Sequence, residues 1–397
     1  MDRAAVLGLR GNKGARALRS RDRRRLGPPE GVVLAFCENP PDARAARPVR
    51  QATDVPSTQP NTPHLYAVDA HREQGDRKVV SLFSGIGGFD LGFERAGFAV
   101  SYQCEIQEYC LRILEHHWPD VPRARDIKEV SHADIPTADV WVGGFPCQDV
   151  SLARMGKRDG LRGRQSSLFF EFARLAREKL PRMVVIENVP GLLSSHEGRD
   201  FGIVLGTLAE LGYALGWRVL NSKNFGVPQS RQRVYVVGAY RDPEGPAKVL
   251  FESERSAGDA PTRGSNGKAP LSPFKEVIEH PGREGAVTPA IAYCLYAQSA
   301  RHTGTDWSRN YVSYPRKGEV RRLTPAECER VMAFPRDWTV PTSISWDAET
   351  YDSLRYHALG NAVTPPVTEW IARRTLAYLD DADAPDARTG SVAVAAG

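Results

Sequence analysis

The 397-residue chain is 41% hydrophobic and 25% charged, enough apolar material to bury a sizeable core in one large domain or two smaller ones. It has no apolar run long enough to span a bilayer, and its arginine-rich start lacks an apolar segment, which excludes a membrane span and a secretory signal. The net charge of +5 is mild for this length: it is compatible with a nucleic-acid partner but does not argue for one, and a cytoplasmic protein is expected.

Residues 1–76 hold 13 Lys+Arg against 9 Asp+Glu, are rich in Arg, Ala and Pro, and show no sustained period of 2 or 3.6. They are expected to be a disordered extension. From Lys78 the texture changes. Short apolar runs appear at Val79–Phe83, Phe98–Tyr102, Ala138–Val142, Met183–Ile186 and Val234–Val237, with helical patterns between several of them at Gln107–His116, Leu168–Glu178 and Phe201–Leu211. Buried strands alternating with helices predict an α/β fold, a Rossmann-like and mostly parallel sheet with helices on both faces. Residues 77–240 form its first part. Residues 241–320, rich in Pro, Gly and Ser, break the rhythm and are expected to be a small inserted domain. The main domain returns over 321–379, with helices around Thr324–Met332 and Val367–Tyr378, and residues 380–397 are an acidic, then Ala/Gly-rich tail.

In such sheets ligands bind beyond the carboxyl ends of the strands, so the turns there carry the chemistry. The first strand runs into Phe83-Ser84-Gly85-Ile86-Gly87-Gly88-Phe89. Its glycines allow a tight turn and close approach of a ligand, but the third glycine of the G-x-G-x-x-G dinucleotide fingerprint is missing, which tells against a dehydrogenase-like nucleotide binder. The second strand ends at Glu105, placed to hold ribose hydroxyls, and a further short strand leads to Asp126, placed to accept from an adenine amino group. Together these three strand ends point to a nucleoside-bearing cofactor.

The six cysteines, at 37, 104, 110, 147, 294 and 328, include no C-x-x-C pair, so neither a metal site nor a redox dithiol is expected. Cys147 differs from the rest in context: it stands at a strand's carboxyl end in Gly143-Gly144-Phe145-Pro146-Cys147-Gln148, a rigid and open position suited to a nucleophile. The run Met183–Ile186 ends on Glu187, whose partly buried carboxyl would be raised and able to hold or donate a proton. Arg231 and Arg233, at i and i+2 of an extended stretch, point the same way, toward a phosphate or a substrate carbonyl. The stretch Gln148–Gln165, with Arg154, Lys157, Arg158 and Arg162, has the composition of a closing lid whose basic residues contact phosphates.

Taken in order, these pieces resemble the cytosine-5 DNA methyltransferases over about residues 78–379. The resemblance extends to Asp90-Leu91-Gly92-Phe93, Ser167-Leu168-Phe169-Phe170-Glu171, Asn224-Phe225-Gly226-Val227-Pro228-Gln229, Arg322-Leu323-Thr324-Pro325 with Phe334-Pro335, and Gly360-Asn361-Ala362-Val363-Thr364-Pro365-Pro366-Val367. It implies S-adenosylmethionine as cofactor, wrapped by Phe83, Ser84, Gly85, Ile86 and Gly88. Glu105 would hold the ribose, Ile106 would pack on the adenine, and Asp126 and Ile127 would sit at its edge. Pro146 and Leu168 would line the pocket, with Asn361 and Val363 reaching back to it. Cys147 would be the nucleophile, Glu187 would bond the cytosine ring nitrogen and amine, and Arg231, with Arg233 beside it, would hold the base carbonyl. The implied substrate is a cytosine flipped out of double-stranded DNA, methylated by a monomer, in a restriction-modification, phage or solitary setting and with a cognate restriction endonuclease in the first case. The insert takes the place of a target-recognition domain, with Arg, Lys and Gln side chains between Thr262 and Arg316 as candidate readers. A tRNA cytosine-5 methyltransferase on the same fold and an inactive DNA-binding relative are the alternatives.

Overall fold

The computed structural model describes residues 33–35, 76–146, 168–251, 277–280, 285–297, 310–341 and 348–384. The strands of the main body are β1 (Val33–Ala35), β2 (Lys78–Leu82), β3 (Ala99–Cys104), β4 (Arg123–Ala124), β5 (Val140–Gly143), β6 (Met183–Asn188), β7 (Tyr213–Asn221), the two-residue β8 (Gln229–Ser230) and β9 (Gln232–Tyr240). All but β8 join one eight-stranded sheet in the order β1-β7-β9-β6-β5-β2-β3-β4. Its pairs are parallel except β6 with β9 and β7 with β9, so β9 alone runs against its neighbours. The mostly parallel sheet is the one expected from the sequence, with β4 as the short strand that leads to Asp126; β7 is an addition to it. Within the N-terminal stretch read as unstructured, β1 pairs with β7 at the sheet edge, and the rest of that stretch lies outside the described residues.

Helices cover both faces: α1 (Gly88–Ala96), α2 (Glu108–His117), α3 (Leu168–Lys179), α4 (Arg199–Glu210), α5 (Gly245–Leu250), α6 (Pro325–Val331), α7 (Ala348–Asn361) and α8 (Pro365–Asp383). Successive strand residues serve opposite faces. Val79, Val140, Val185 and Val237 join one core with α1 and α8, while Val80, Trp141, Val184 and Val236 join the other with α3 and α4. Burial on both faces is why these strands read as continuous apolar runs rather than alternating ones. Beneath the first turn the buried Asp90 accepts from Ser81 Oγ and Gln103 Nε2, each at 2.9 Å, and so ties α1 to β2 and β3. Burial lifts its carboxyl to about 6.

Helix α5 belongs to this body: Arg218 on β7 donates to Leu250 O, and Arg374 on α8 donates to Val249 O and Phe251 O. The chain therefore stays with the main body through Phe251, past the boundary at 240 expected from composition. Beyond it, β10 (Val277–His280), β11 (Ala286–Pro289), β13 (Tyr311–Tyr314) and β14 (Glu319–Arg322) make a separate four-stranded antiparallel sheet. Between them β12 (Ala292–Tyr293) returns to pair in parallel with β8.

Gly92 marks the tightest helix contact. A Cβ there would stand 2.0 Å from Thr368 Oγ1 and 2.7 Å from the main-chain nitrogen of Glu369, and the latter cannot swing aside. Gly92→Ala gains about 1 kcal/mol of helix propensity, yet overpacking against α8 should leave a net loss of about 1–3 kcal/mol. Urea denaturation measures it, and a variant as stable as wild type would mean that α1 and α8 separate freely.

Candidate active site

The glycine loop between β2 and α1 starts with two residues in the left-handed region, Phe83 at φ 59° and Gly85 at φ 57°. This turn aims the Gly85 N–H at the end of β3, where Glu105 Oε2 accepts it at 2.8 Å. The other carboxylate oxygen accepts from Gln107 N at 2.7 Å. Burial pushes the Glu105 carboxyl up, while those backbone donors pull it down. Nothing lies within 4 Å of where a Gly85 Cβ would be, so the loop faces open space, and beside it the Ile106 side chain is 58% exposed. A backbone donor, a fixed carboxylate with spare lone pairs and an uncovered aliphatic face suit a nucleoside with vicinal hydroxyls.

The other expected cofactor residues gather on the same edge to different degrees. Glu105 N donates to Ala124 O at 3.1 Å, which brings the turn carrying Asp126 alongside. Asp126 is half-buried, and its Oδ1 accepts from Lys128 N. Ile127 and Ile86 are buried in the core, and Ser84 is buried beside them. Ser84 Oγ is taken up by Ser81 O at 3.0 Å. Gly88 is packed so closely on Val363 that a Cβ would meet the Val363 carbonyl at 2.6 Å. Asn361, exposed at the end of α7, and the exposed Pro146 lie at open positions, while Leu168 is partly buried against the core at the start of α3.

The second half of the site is built on β5, β6 and β9. Cys147 and the stretch Gln148–Gln165 lie outside the described residues, but the chain up to Pro146 is described. Asn188 Nδ2 donates to Phe145 O at 2.9 Å, fixing the turn that leads to Cys147 against the end of β6. Glu187 is buried there, its Oε2 2.9 Å from where a Gly144 Cβ would stand; only glycine leaves that carboxylate room. Its Oε1 receives Arg233 Nε at 2.9 Å. Burial raises the Glu187 carboxyl, with the charges of Arg233 and Arg231 pulling the other way. Burial also works against the Arg233 charge, but Glu187, Cys294 and Tyr235 together more than restore it.

Arg231 differs from the sequence expectation. It is fully buried, and both terminal nitrogens of its guanidinium are committed to main-chain carbonyls, Nη1 donating to Leu295 O at 2.9 Å and Nη2 to Gly360 O at 2.9 Å and Ala362 O at 2.7 Å, while Nε is buried without a partner among the described residues. The two arginines do share one side, both facing Cys294 Sγ, at 3.3 Å from Arg231 Nη1 and 3.9 Å from Arg233 Nη1. Only Arg233 meets the carboxylate. Burial and the neighbouring Arg233 depress the Arg231 guanidinium below its ordinary value. Gln229, fully buried, completes the brace by accepting from Leu295 N at 3.0 Å. The sequence reading gives Asn188 and Gly144 no part in placing Glu187 or the turn before Cys147, and does not single out the Leu295 carbonyl. The first two adjoin predicted site residues and were within reach; Leu295 carried no local signal.

A glycine loop, a strand-end acid and a reversed strand in an otherwise parallel sheet define a class I methyltransferase fold. The S. pombe Dnmt2 methyltransferase structure shares that fold at a TM-score of 0.55 and 18% identity, covering 77% of this chain and 99% of that one. The family model for C-5 cytosine-specific DNA methylase matches residues 77–262 and 253–377. Type II methyltransferase M.NgoBI of Neisseria gonorrhoeae is 34% identical over 311 residues, 74% of this chain and 90% of the relative. Type II methyltransferase M.SsoII of Shigella sonnei is 30% identical over 349 residues, 84% of this chain and 86% of the relative. The chain belongs to the C-5 cytosine-specific DNA methylase family and is a DNA cytosine-5 methyltransferase.

Proposed function

We propose that the chain methylates carbon 5 of a cytosine turned out of duplex DNA, using S-adenosylmethionine and a covalent bond from Cys147. The observation that carries this reading is the Glu187–Arg233 pair at 2.9 Å beside the turn leading to Cys147, on the same sheet edge as the Gly85–Glu105 cradle. The cradle fits the cofactor: Glu105 holds the ribose hydroxyls, Ile106 covers the adenine, and Gly85, Asp126 and the turn of Asn361 and Val363 after α7 close around it, with Phe83, Pro146 and Leu168 bordering the pocket. Bound there, S-adenosylmethionine supplies an electrophilic methyl group.

The chain's own residues make cytosine reactive toward it. Carbon 5 is a weak nucleophile until the Cys147 thiolate adds to carbon 6. The Glu187 carboxyl donates its proton to ring nitrogen 3 as that bond forms, so the negative charge is never left on the ring. The Arg233 guanidinium, rather than that of Arg231, holds the base carbonyl and orients Glu187. After transfer the carbon 5 proton leaves to solvent, the thiolate is expelled, and nitrogen 3 returns its proton to Glu187. None of these atoms is reachable inside a stacked duplex, so the base is extruded. The second sheet, in the place of the target-recognition domain, reads the surrounding sequence.

The Type II names of the relatives support a modification role. In this reading the enzyme acts in the cytoplasm as a monomer, beside a restriction endonuclease of the same specificity and without contact with it. Among the described residues no helix is long and apolar enough to cross a membrane. Tritiated S-adenosylmethionine incubated with mixed-sequence duplex DNA tests the reading. Label is expected in 5-methylcytosine with wild type and at background with Cys147→Ala. Label on tRNA instead would overturn the DNA substrate, and label on DNA from Cys147→Ala would overturn the covalent route.

A further inference from the structure

The segment Phe334–Val340 between α6 and α7 takes no part in the chemistry above, yet it touches both walls of the cofactor cradle. Trp338, nearly fully buried, donates from its indole Nε1 to the Ile86 carbonyl at 2.8 Å, across 252 residues of sequence. That carbonyl lies inside the glycine loop, one residue past Gly85. The indole ring is stacked on His117 at the end of α2, with centroids 3.5 Å apart and planes 8° from parallel. His117 Nε2 in turn meets Trp338 O at 2.9 Å. One residue on, Thr339 O accepts from Tyr109 OH at 2.5 Å, in the first turn of α2 just after Glu105 and Ile106.

The strap is itself held rigidly. Glu329, fully buried, accepts from Asp337 N at 3.0 Å, from Thr339 N at 2.9 Å and from Arg355 Nη2 at 3.1 Å. A carboxylate with that many donors fixes the loop at both sides of Trp338. Beneath the loop Trp118 stands edge-on to Trp338 and fills the space at Gly87, where a Cβ would be 2.4 Å from its ring.

We infer that Trp338 is a positioning residue for the methyl donor: through Ile86 O it sets the glycine loop, and with Thr339 and Tyr109 it sets the distance from that loop to the Glu105–Ile106 wall. The inference rests on the cofactor reading of the Gly85–Glu105 cradle. A strap that merely closed the core would need an apolar ring here; the indole N–H on a loop carbonyl and the phenol on Thr339 O are directional and aim at the cradle's two sides. Preorganisation of this kind is felt in the affinity for the ligand whose walls it sets.

The test uses the full chain and S-adenosylhomocysteine titrated calorimetrically. Trp338→Phe keeps a ring against His117 and Trp118 and removes only the donor. Its affinity should fall about three- to tenfold, the worth of one neutral hydrogen bond. KM for S-adenosylmethionine should rise by the same factor, with kcat at saturating donor and KM for DNA little changed. A general loss of structure would instead lower the active fraction and leave the affinity of the remainder intact, which would overturn the inference. Tyr109→Phe, acting on the other wall, should weaken the same ligand and keeps the test alive if Trp338→Phe does not fold. Wild-type affinity in both variants, with Glu105→Ala unable to bind, would overturn the positioning role and spare the cradle. Unchanged binding in Glu105→Ala would overturn the cradle, and the inference with it.

Discussion

Glu187→Gln is expected to lower kcat for DNA methylation by about 10²–10⁴-fold, the range for loss of a positioned acid, while DNA and S-adenosylhomocysteine still bind. The amide keeps the shape and can still accept from Arg233, but it has no proton to give to ring nitrogen 3. The burial that raises the Glu187 carboxyl serves this step, since it keeps the acid form populated to higher pH than an exposed glutamate would. Wild-type kcat should therefore fall as pH rises past that raised value, and this descending limb should vanish in the variant. Single-turnover methylation at several pH values measures both. A variant within about threefold of wild type would remove Glu187 from the proton transfer, because so small a change is under 1 kcal/mol of barrier.

The two arginines should fail in different ways. Arg233→Met removes the donor to Glu187 and to the base carbonyl, and should cost about 10²–10³ in kcat, as for one lost transition-state donor. Its effect on stability should be mild, because the Glu187 carboxyl can take up a proton once its cation is gone. Arg231→Met should show the reverse emphasis. It leaves the carbonyls of Leu295, Gly360 and Ala362 without their donors, each costing about 1–3 kcal/mol when buried and unsatisfied. Removing a fully buried guanidinium also relieves a desolvation cost, so a net loss of about 2–4 kcal/mol is expected. Denaturant midpoints and specific activities of the two purified variants settle it. Arg231→Met with full stability and no activity would restore Arg231 to the base carbonyl.

That contrast shows where reading from sequence stops. Period 2 puts Arg231 and Arg233 on one side, and both do face Cys294. Which of them reaches Glu187 depends on Leu295, Gly360 and Ala362, which stand 64 to 131 residues away and have no local trace. Glu187 was legible because an apolar run ending on a carboxylate is a local pattern, and Glu105 because it ends the strand next to a glycine turn. Strand β7 was missed because Gly216 and Trp217 interrupt its alternation at the edge side of the sheet. Helix α7 was missed because its buried face carries a charge: Tyr351, Leu354, Ala358 and Leu359 pack inward on one side, but Arg355 stands among them, buried against Glu329, and interrupts the apolar stripe. Composition gave no sign that the chain stays with the main body through α5, since the Pro and Gly of Gly245–Pro246 begin a helix there and signal a loop elsewhere.

Because β9 runs against its neighbours, it delivers its arginines at its first residues rather than its last. The chain has already passed the reactive edge when it leaves toward the second sheet. Arg233 and Glu187 are therefore both laid down before that departure, and what comes later is the brace that Leu295, Gly360 and Ala362 give to Gln229 and Arg231. Insertions or deletions between Phe251 and Ala292 leave the pocket's dimensions alone provided that brace is kept. Under the proposed function, such a wiring lets the second sheet drift toward new target sequences while the chemistry stands still.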